Sequence, residues 1–368
     1  MSDMNIALGI IGAGSIGHIH AQAASKAGLR IAAVCDIDPE KAARLADQHP
    51  GAVATASVDE LLALENIPGV VIAVPNHLHK GLAIQALEAG RDVLLEKPMA
   101  MNLAECDQII KATEDSGQLL QLGFVCRYAP AAIAARRLIS EGRLGTILHA
   151  KAMMYRRRGI PGLGHWFTTK AKSGGGVLID IGVHLIDLVM HITPQESHPP
   201  RPLRVSAHCT STFGTPIESY IYEEMWAGPP DPAGTFDVDD GVTGLIRFDT
   251  GMTFELNVTW AANLPENILP DGIVILGDRG GCYLDLWNNR LVYTTEVDGK
   301  LTDTEIPLTT DPEDNAWDYA WRSEHEHFAA SIANRTPPEA SGADGRTVQQ
   351  IIEAMYRSSE AGCEVEIE

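Results

Sequence analysis

From residue 6 to about 125 the chain alternates short, almost uninterrupted apolar runs with stretches whose apolar residues recur every third or fourth position. The runs are 6–11 (IALGII), 30–35 (RIAAVC), 69–74 (GVVIAV), 92–96 (DVLLE) and 119–125 (LLQLGFV), and the helical stretches include 78–89 and 103–116. Strands that are apolar throughout are covered on both faces. Their regular alternation with helices means parallel strands joined by right-handed crossovers. The pattern predicts a doubly wound α/β sheet.

Beyond residue 125 the period changes. A helix is predicted over 130–141, followed by longer segments with period-two alternation. The clearest is 252–260, where Phe254, Leu256, Val258 and Trp260 share one face and Glu255, Asn257 and Thr259 the other. Asp249-Thr250-Gly251 is a hairpin turn leading into it. One-sided strands imply a large, mostly antiparallel sheet with an open face. Two helices, 316–333 and 345–359, close the chain. The expected organisation is thus an N-terminal domain over 1–125 and an α+β domain over 126–368, with 194–202 and 227–234 as surface loops.

The 368 residues suit two domains, and 45% hydrophobic with 21% charged residues is the composition of a globular protein. A formal net charge of −21 disfavours nucleic acid and anionic membrane surfaces as partners, because phosphates are repelled. The run 6–11 is too short to span a bilayer and leads straight into a glycine turn. Six cysteines, Cys35, Cys106, Cys126, Cys209, Cys282 and Cys363, include no CxxC pair. Reduced thiols in a cytoplasmic protein are expected.

Gly12-Ala13-Gly14-Ser15-Ile16-Gly17 follows the first strand directly and opens a helix. Gly12 permits a tight turn, Gly14 lets the backbone approach a pyrophosphate, and Gly17 lets helix and strand pack closely. The helix N-terminus at Ser15 and Ile16 offers free N–H groups to phosphates. Asp36 ends the next strand, close to the offset of about 20 residues at which a carboxylate accepts from the adenosine ribose. It would repel the extra phosphate of NADP, whereas Lys41 and Arg44 could rescue it. The expectation is a Rossmann domain binding NAD, with NADP as the alternative.

Ligands of such sheets bind outside the carboxyl ends of the strands. Two segments fall there: Val74-Pro75-Asn76-His77-Leu78-His79 and Glu96-Lys97-Pro98. Pro75, Asn76, His79, Glu96 and Lys97 are therefore candidates for contact with the cofactor. Partial burial would lower the Lys97 pKa, and Glu96 would oppose that shift. In the second domain a glycine run, 174–176, leads into Asp180, His184 and Asp187. On a helix these lie at i, i+4 and i+7, on one face. A carboxylate and an imidazole together suit alcohol oxidation, in which one group takes the hydroxyl proton while carbon gives up hydride.

The glycine turn, the VPNHLH segment, Glu96-Lys97-Pro98 and Asp180-x-Gly-x-His184-x-x-Asp187, in this order, resemble the glucose–fructose oxidoreductase / inositol dehydrogenase / MocA-like family over essentially the whole chain. The resemblance implies an NAD(P)-dependent dehydrogenase or reductase acting on a secondary hydroxyl of a sugar, glycoside or cyclitol. It implies Lys97 at the reacting hydroxyl, His184 as acid/base and Asp180 orienting both; which of Lys97 and His184 takes the proton is left open. Arg127, just past the last strand of the first domain, sits where similar proteins place groups near nicotinamide and substrate. Tyr155, His165 and Trp166 precede the glycine run, where an aromatic ring could stack on a sugar.

No metal is expected: Asp180, His184 and His191 could share a face, but no further ligand completes a closed site. A short-chain dehydrogenase is set aside, since no tyrosine has lysine four residues later. Two rivals keep part of this picture. One is a redox glycosidase that oxidises a glycoside ahead of elimination, the other a non-catalytic NAD sensor. An open sheet face calls for a cover, and a homodimer or homotetramer supplies one.

Overall fold

The computed structural model of the chain describes residues 6–194, 200–223, 225, 227–265, 271–308 and 314–368. The first five residues and the middle of the expected loop 194–202 lie outside the described residues. Two compact units emerge: Met1–Val125 with Asp318–Gln349, and Cys126–Trp317 with Gln350–Glu368.

The first unit opens with β1 (Ala7–Ile11), α1 (Ser15–Lys26), β2 (Arg30–Cys35), α2 (Pro39–Ala46), β3 (Val53–Thr55), α3 (Val58–Leu62), β4 (Gly69–Ile72), α4 (His79–Glu88), β5 (Asp92–Glu96), α5 (Leu103–Ser116) and β6 (Leu120–Gly123). The six strands pair in parallel in the order β3-β2-β1-β4-β5-β6. Every residue of β1, β4, β5 and β6 is buried, the two-sided covering that their apolar runs predict. Side chains start the helices where the backbone N–H groups lack partners. Asp38 accepts from Glu40 and Lys41 ahead of α2, and Asn102 accepts from Glu105 ahead of α5. Gly117, in the left-handed region, closes α5.

The second unit contains α6 (Pro130–Ser140), β7 (Ile147–Tyr155), α7 (Lys170–Ser173), α8 (Val183–Ile192), β8 (Pro202–Thr210), β9 (Gly241–Phe248), β10 (Thr253–Thr259), β11 (Gly272–Gly277), β12 (Gly280–Asp285), β13 (Arg290–Val297) and β14 (Lys300–Glu305). Two helices follow, α9 (Ala316–Asn334) and α10 (Gly342–Ala361), and then a short strand, β15 (Val365–Glu366). The sheet runs β14-β13-β12-β11-β7-β10-β9-β8-β15. It is antiparallel except where β10 lies parallel to β7. The turn at 249–251 joins β9 to β10 with Gly251 at φ 84°. Phe254, Leu256, Val258 and Trp260 are fully buried, while Thr253, Glu255 and Thr259 on the opposite face stay partly open. The run Lys170–Ile192 has the length and hydropathy of a membrane span, yet 78% of its most apolar window is buried inside the protein, as a core helix is.

The sequence leads one to expect residues 126–368 as one continuous domain, whereas residues 318–349 gather with the first unit. Phe328 and Ala329 of α9 are buried in the core formed by Leu8, Ile10, Val34, Val71 and Leu94. The period of an amphipathic helix shows that it has a buried face, but not which core receives that face.

Candidate active site

Two of the three glycines of the turn stand where a side chain would collide with backbone. Gly12 has φ +103°, and a Cβ there would lie 2.2 Å from the Ala73 carbonyl oxygen. A Cβ on Gly17 would lie 1.9 Å from the Gly12 carbonyl oxygen, so only glycine lets α1 pack this closely on β1. At Gly14 a Cβ would meet nothing within 4 Å. Gly14, Ser15 and the partly exposed Ile16 present the start of α1, which no side chain caps. That uncapped end, with open space before it, fits a pyrophosphate.

Asp36 turns back onto this turn. Its Oδ2 accepts from the Ala13 N–H at 2.7 Å and its Oδ1 from the Asp38 N–H at 2.9 Å. Ile37, the next residue, is 93% exposed and brings no charge. Lys41 pairs with Asp38 at 3.8 Å and Arg44 with Glu40 at 3.9 Å. Both are long, exposed surface contacts.

At the ends of β4 and β5, Pro75 precedes a single turn, Asn76–Leu78, in which Asn76 is buried. His79 is buried too, its Nδ1 2.7 Å from the Pro98 carbonyl oxygen and its Nε2 2.9 Å from that of Val74. Burial holds its pKa below the ordinary imidazole value, with the two carbonyls and Glu96 pulling the other way. The ring ties one strand end to the other, so its contribution is to hold the segment around Lys97. Lys97 is the single partly exposed residue between Asp92 and Ala100.

Behind Lys97 the Glu96 carboxyl is buried. His20 Nε2, from α1, lies 3.0 Å from Glu96 Oε1, and His20 Nδ1 lies 3.0 Å from His325 Nε2 on α9. The His20 ring thus bridges the Glu96 carboxyl and the His325 ring. Burial, then His20, drives the His325 pKa well down, while burial, then Glu96, drives that of Glu324 well up.

In the second unit the site is carried by the segment that follows the glycine run. Asp239 accepts from the Gly176 N–H (2.8 Å), the Leu178 N–H (2.9 Å) and the Tyr356 hydroxyl (2.7 Å). It thereby caps a wide π-helical turn, Leu178–Gly182, that runs directly into α8. Between Gly175 and Val189 the partly exposed residues are Asp180 and His184, and every other residue is buried. Trp260 donates its indole N–H to Asp180 Oδ2 at 2.9 Å.

Asp187 departs from the expected common face. It is 1% exposed and pairs with Arg127, Nε to Oδ2 at 2.9 Å and Nη2 to Oδ1 at 2.5 Å. Asp187 follows His184 within α8 itself, and its carboxylate is taken up by the buried Arg127 guanidinium. Arg127, itself 5% exposed, braces α8 through this bidentate pair instead of presenting its guanidinium to solvent. Burial and the positive charges of Arg127 and Arg136 push the His191 pKa down to about 2, so that ring is neutral. Among the described residues no three His, Cys, Asp or Glu side chains gather as a metal site.

Tyr155 ends β7, half-buried, and burial raises its phenol pKa. Its N–H donates to Asp271 Oδ1 at 2.8 Å. His165 is exposed and precedes the short turn Trp166–Thr168. Trp166 stacks on Phe167, centroids 3.8 Å apart. Sequence reasoning passed over Asp239, Trp260 and His20, whose partners lie 61 to 63, 80 and 76 residues away. The alternation over 252–260 did place Trp260 inside; nothing local showed where its N–H points.

A parallel sheet with this glycine turn has the build of an NAD-binding oxidoreductase, and comparison with known proteins agrees. The profile of an oxidoreductase family with an NAD-binding Rossmann fold matches residues 6–124, and that of the GFO/IDH/MocA C-terminal domain matches residues 132–283. The chain belongs to the GFO/IDH/MocA family. It is 30% identical to the D-glucoside 3-dehydrogenase of Escherichia coli (strain K12), covering 100% of this chain and 99% of that protein. It is 24% identical to the scyllo-inositol 2-dehydrogenase (NAD(+)) of Bacillus subtilis (strain 168), covering 98% and 95%. The structure of levoglucosan dehydrogenase in complex with NADH and levoglucosan superposes with a TM-score of 0.85 at 23% identity, over 99% of both chains, which establishes the shared fold.

Proposed function

We propose that the protein oxidises a secondary hydroxyl of a glucoside, or of a related pyranose or cyclitol, to a ketone, with NAD as the acceptor. The observation that carries this is the pattern of openings. Lys97, Asp180 and His184 are the partly exposed residues of two otherwise buried runs. One run opens only at an ammonium and the other only at a carboxylate and an imidazole, groups that suit a polar reactant. The full-length likeness to a D-glucoside 3-dehydrogenase supports the substrate class.

When bound, the nicotinamide supplies the hydride acceptor. The chain's own residues handle the proton. His184 takes the hydroxyl proton as the carbon–hydrogen bond breaks and the C=O bond forms. Lys97 donates a hydrogen bond to the same oxygen, stabilising the charge that develops on it. Asp180 orients substrate and imidazole. His79 and Glu96 hold the strand end that carries Lys97, Arg127 holds α8, and Pro75 and Asn76 contact the cofactor.

The cofactor preference follows from Asp36. Asp36→Ala is expected to weaken NAD about 10–100-fold, the worth of hydrogen bonds to a charged group, and to narrow the preference over NADP. Calorimetric Kd values for both cofactors check this; tighter binding of NADP by the unaltered protein contradicts it.

We place the protein in the cytoplasm as a homo-oligomer. All six cysteines are free thiols, which suits a reducing compartment. The open face of the nine-stranded sheet, with Lys151, Tyr155, Glu255 and Thr259, is where a second copy would sit. Light scattering at micromolar concentration is expected to give a dimer or tetramer, and a monomer contradicts it.

The activity is tested by following reduction of NAD, and separately NADP, against a panel of glycosides, free pyranoses and cyclitols. Keto-product formed in step with NADH is expected. Aglycone released without net NADH shows elimination after oxidation instead. NAD binding with no turnover of any member contradicts the enzymatic reading and leaves a sensor.

A further inference from the structure

Trp260 is 0% exposed and follows β10 on the buried face of the sheet. Its backbone N–H donates to the Asp240 carbonyl at 2.8 Å, which fixes where the residue starts. Its indole nitrogen, a donor only, reaches Asp180 Oδ2 at 2.9 Å. A buried tryptophan could have met its N–H with a backbone carbonyl. Here the acceptor is one of the three side chains through which the buried runs open.

We propose that Trp260 is a positioning residue for the oxidation, holding the Asp180 carboxylate in one rotamer and in its ionised form. The inference rests on the reading of Asp180 as an active-site residue.

Asp180 sits on a π turn, where the surrounding backbone does not impose the side-chain directions of a regular α-helix. A carboxylate there needs an outside anchor to keep a set direction. The indole supplies one from a rigid, close-packed position, and the hydrogen bond favours the charged form. With Oδ2 anchored, the remaining lone pairs of the carboxylate point in set directions toward whatever hydroxyl or imidazole it serves. Positional errors of about 1 Å in such a group cost about 10²-fold in rate.

The test removes the N–H and keeps the shape. Trp260 is replaced site-specifically by its benzothiophene isostere, in which sulphur stands for the indole N–H, and Trp260→Phe is made alongside. The isostere is expected to lower kcat/KM about 10–100-fold, move the acid limb of its pH profile to higher pH, and leave the NAD Kd within about two-fold. Trp260→Phe should lose at least as much. The indole ¹H–¹⁵N signal that vanishes in Trp260→Phe should shift with pH in the native protein and stop doing so in Asp180→Asn. Unchanged kcat/KM and pH profile in the isostere would overturn the proposal, and so would an indole signal indifferent to Asp180→Asn. Failure of the underlying reading looks different: the native protein then turns over no panel member while the indole still titrates with Asp180. That outcome overturns the catalytic role and leaves only a structural hydrogen bond.

Discussion

Lys97→Ala and His184→Ala are each expected to lower kcat by ~10²–10⁴-fold while NAD binding is largely retained, the range that general acid–base groups contribute. The expectation follows from placement. Lys97 lies just beyond β5, on a strand end held by His79 and by the His20–Glu96 contact, so truncating its side chain leaves those supports in place. His184 lies near the start of α8, downstream of the turn that Asp239 caps and three residues before Asp187, whose pair with Arg127 braces the helix. Neither side chain belongs to the glycine turn, so loss of chemistry should separate from loss of cofactor. Single-turnover rates and calorimetric NAD affinities on the same preparations check this. Near-normal turnover in either variant removes that residue from the mechanism.

Gly17→Ala is expected to abolish useful cofactor binding, by at least ~100-fold in Kd, and to lower the melting temperature. The added methyl would sit 1.9 Å from the Gly12 carbonyl oxygen. That neighbour is backbone, so no rotamer change relieves the clash; either α1 moves off β1 or the turn opens. Overpacking of this kind costs about 1–3 kcal/mol or more, and about 1.4 kcal/mol is a factor of ten in affinity. Gly14→Ala is the informative contrast. Its φ of −79° suits alanine and its Cβ would meet nothing, so its melting temperature should match the native protein. Its methyl would nonetheless enter the space before the α1 N-terminus, so NAD should bind more weakly. Thermal melts and NAD titrations of the two variants separate turn geometry from ligand clearance. Tight NAD binding in Gly17→Ala would show that the turn is not the pyrophosphate site.

The parts of the molecule legible in the sequence are those whose physics is local. The glycine turn is read from six consecutive residues because strand, turn and helix N-terminus are contiguous there. Asp36 is found because it ends the adjacent strand. The buried and open faces of β10 follow from a period of two, and α5 matches its expected bounds because Asn102 and Gly117 mark both ends. Pairings set by tertiary structure were not legible. Nothing near Asp187 indicates Arg127, and nothing near Asp180 indicates Trp260. His20 reads as a helix residue until β5 and α9 bring Glu96 and His325 to its two ring nitrogens. The π turn was missed for a different reason: 3.6 residues per turn is assumed in any count of helix faces, and a run as apolar as 177–189 gives no sign of a local departure. The reassignment of α9 has a similar origin, since Phe328 announces a buried face but not the strands it meets.

The most direct measurement follows the hydrogen itself. A panel member that the protein turns over is prepared with deuterium on each candidate carbinol carbon in turn, and the NADH formed is examined by mass and by NMR. The expected result is one deuterium delivered to the nicotinamide ring from a single secondary carbon, with kcat slowed by a primary isotope effect wherever chemistry limits turnover. NADH that forms without label from any of these positions would contradict hydride transfer from a secondary alcohol, and with it the assignment of Lys97, Asp180 and His184.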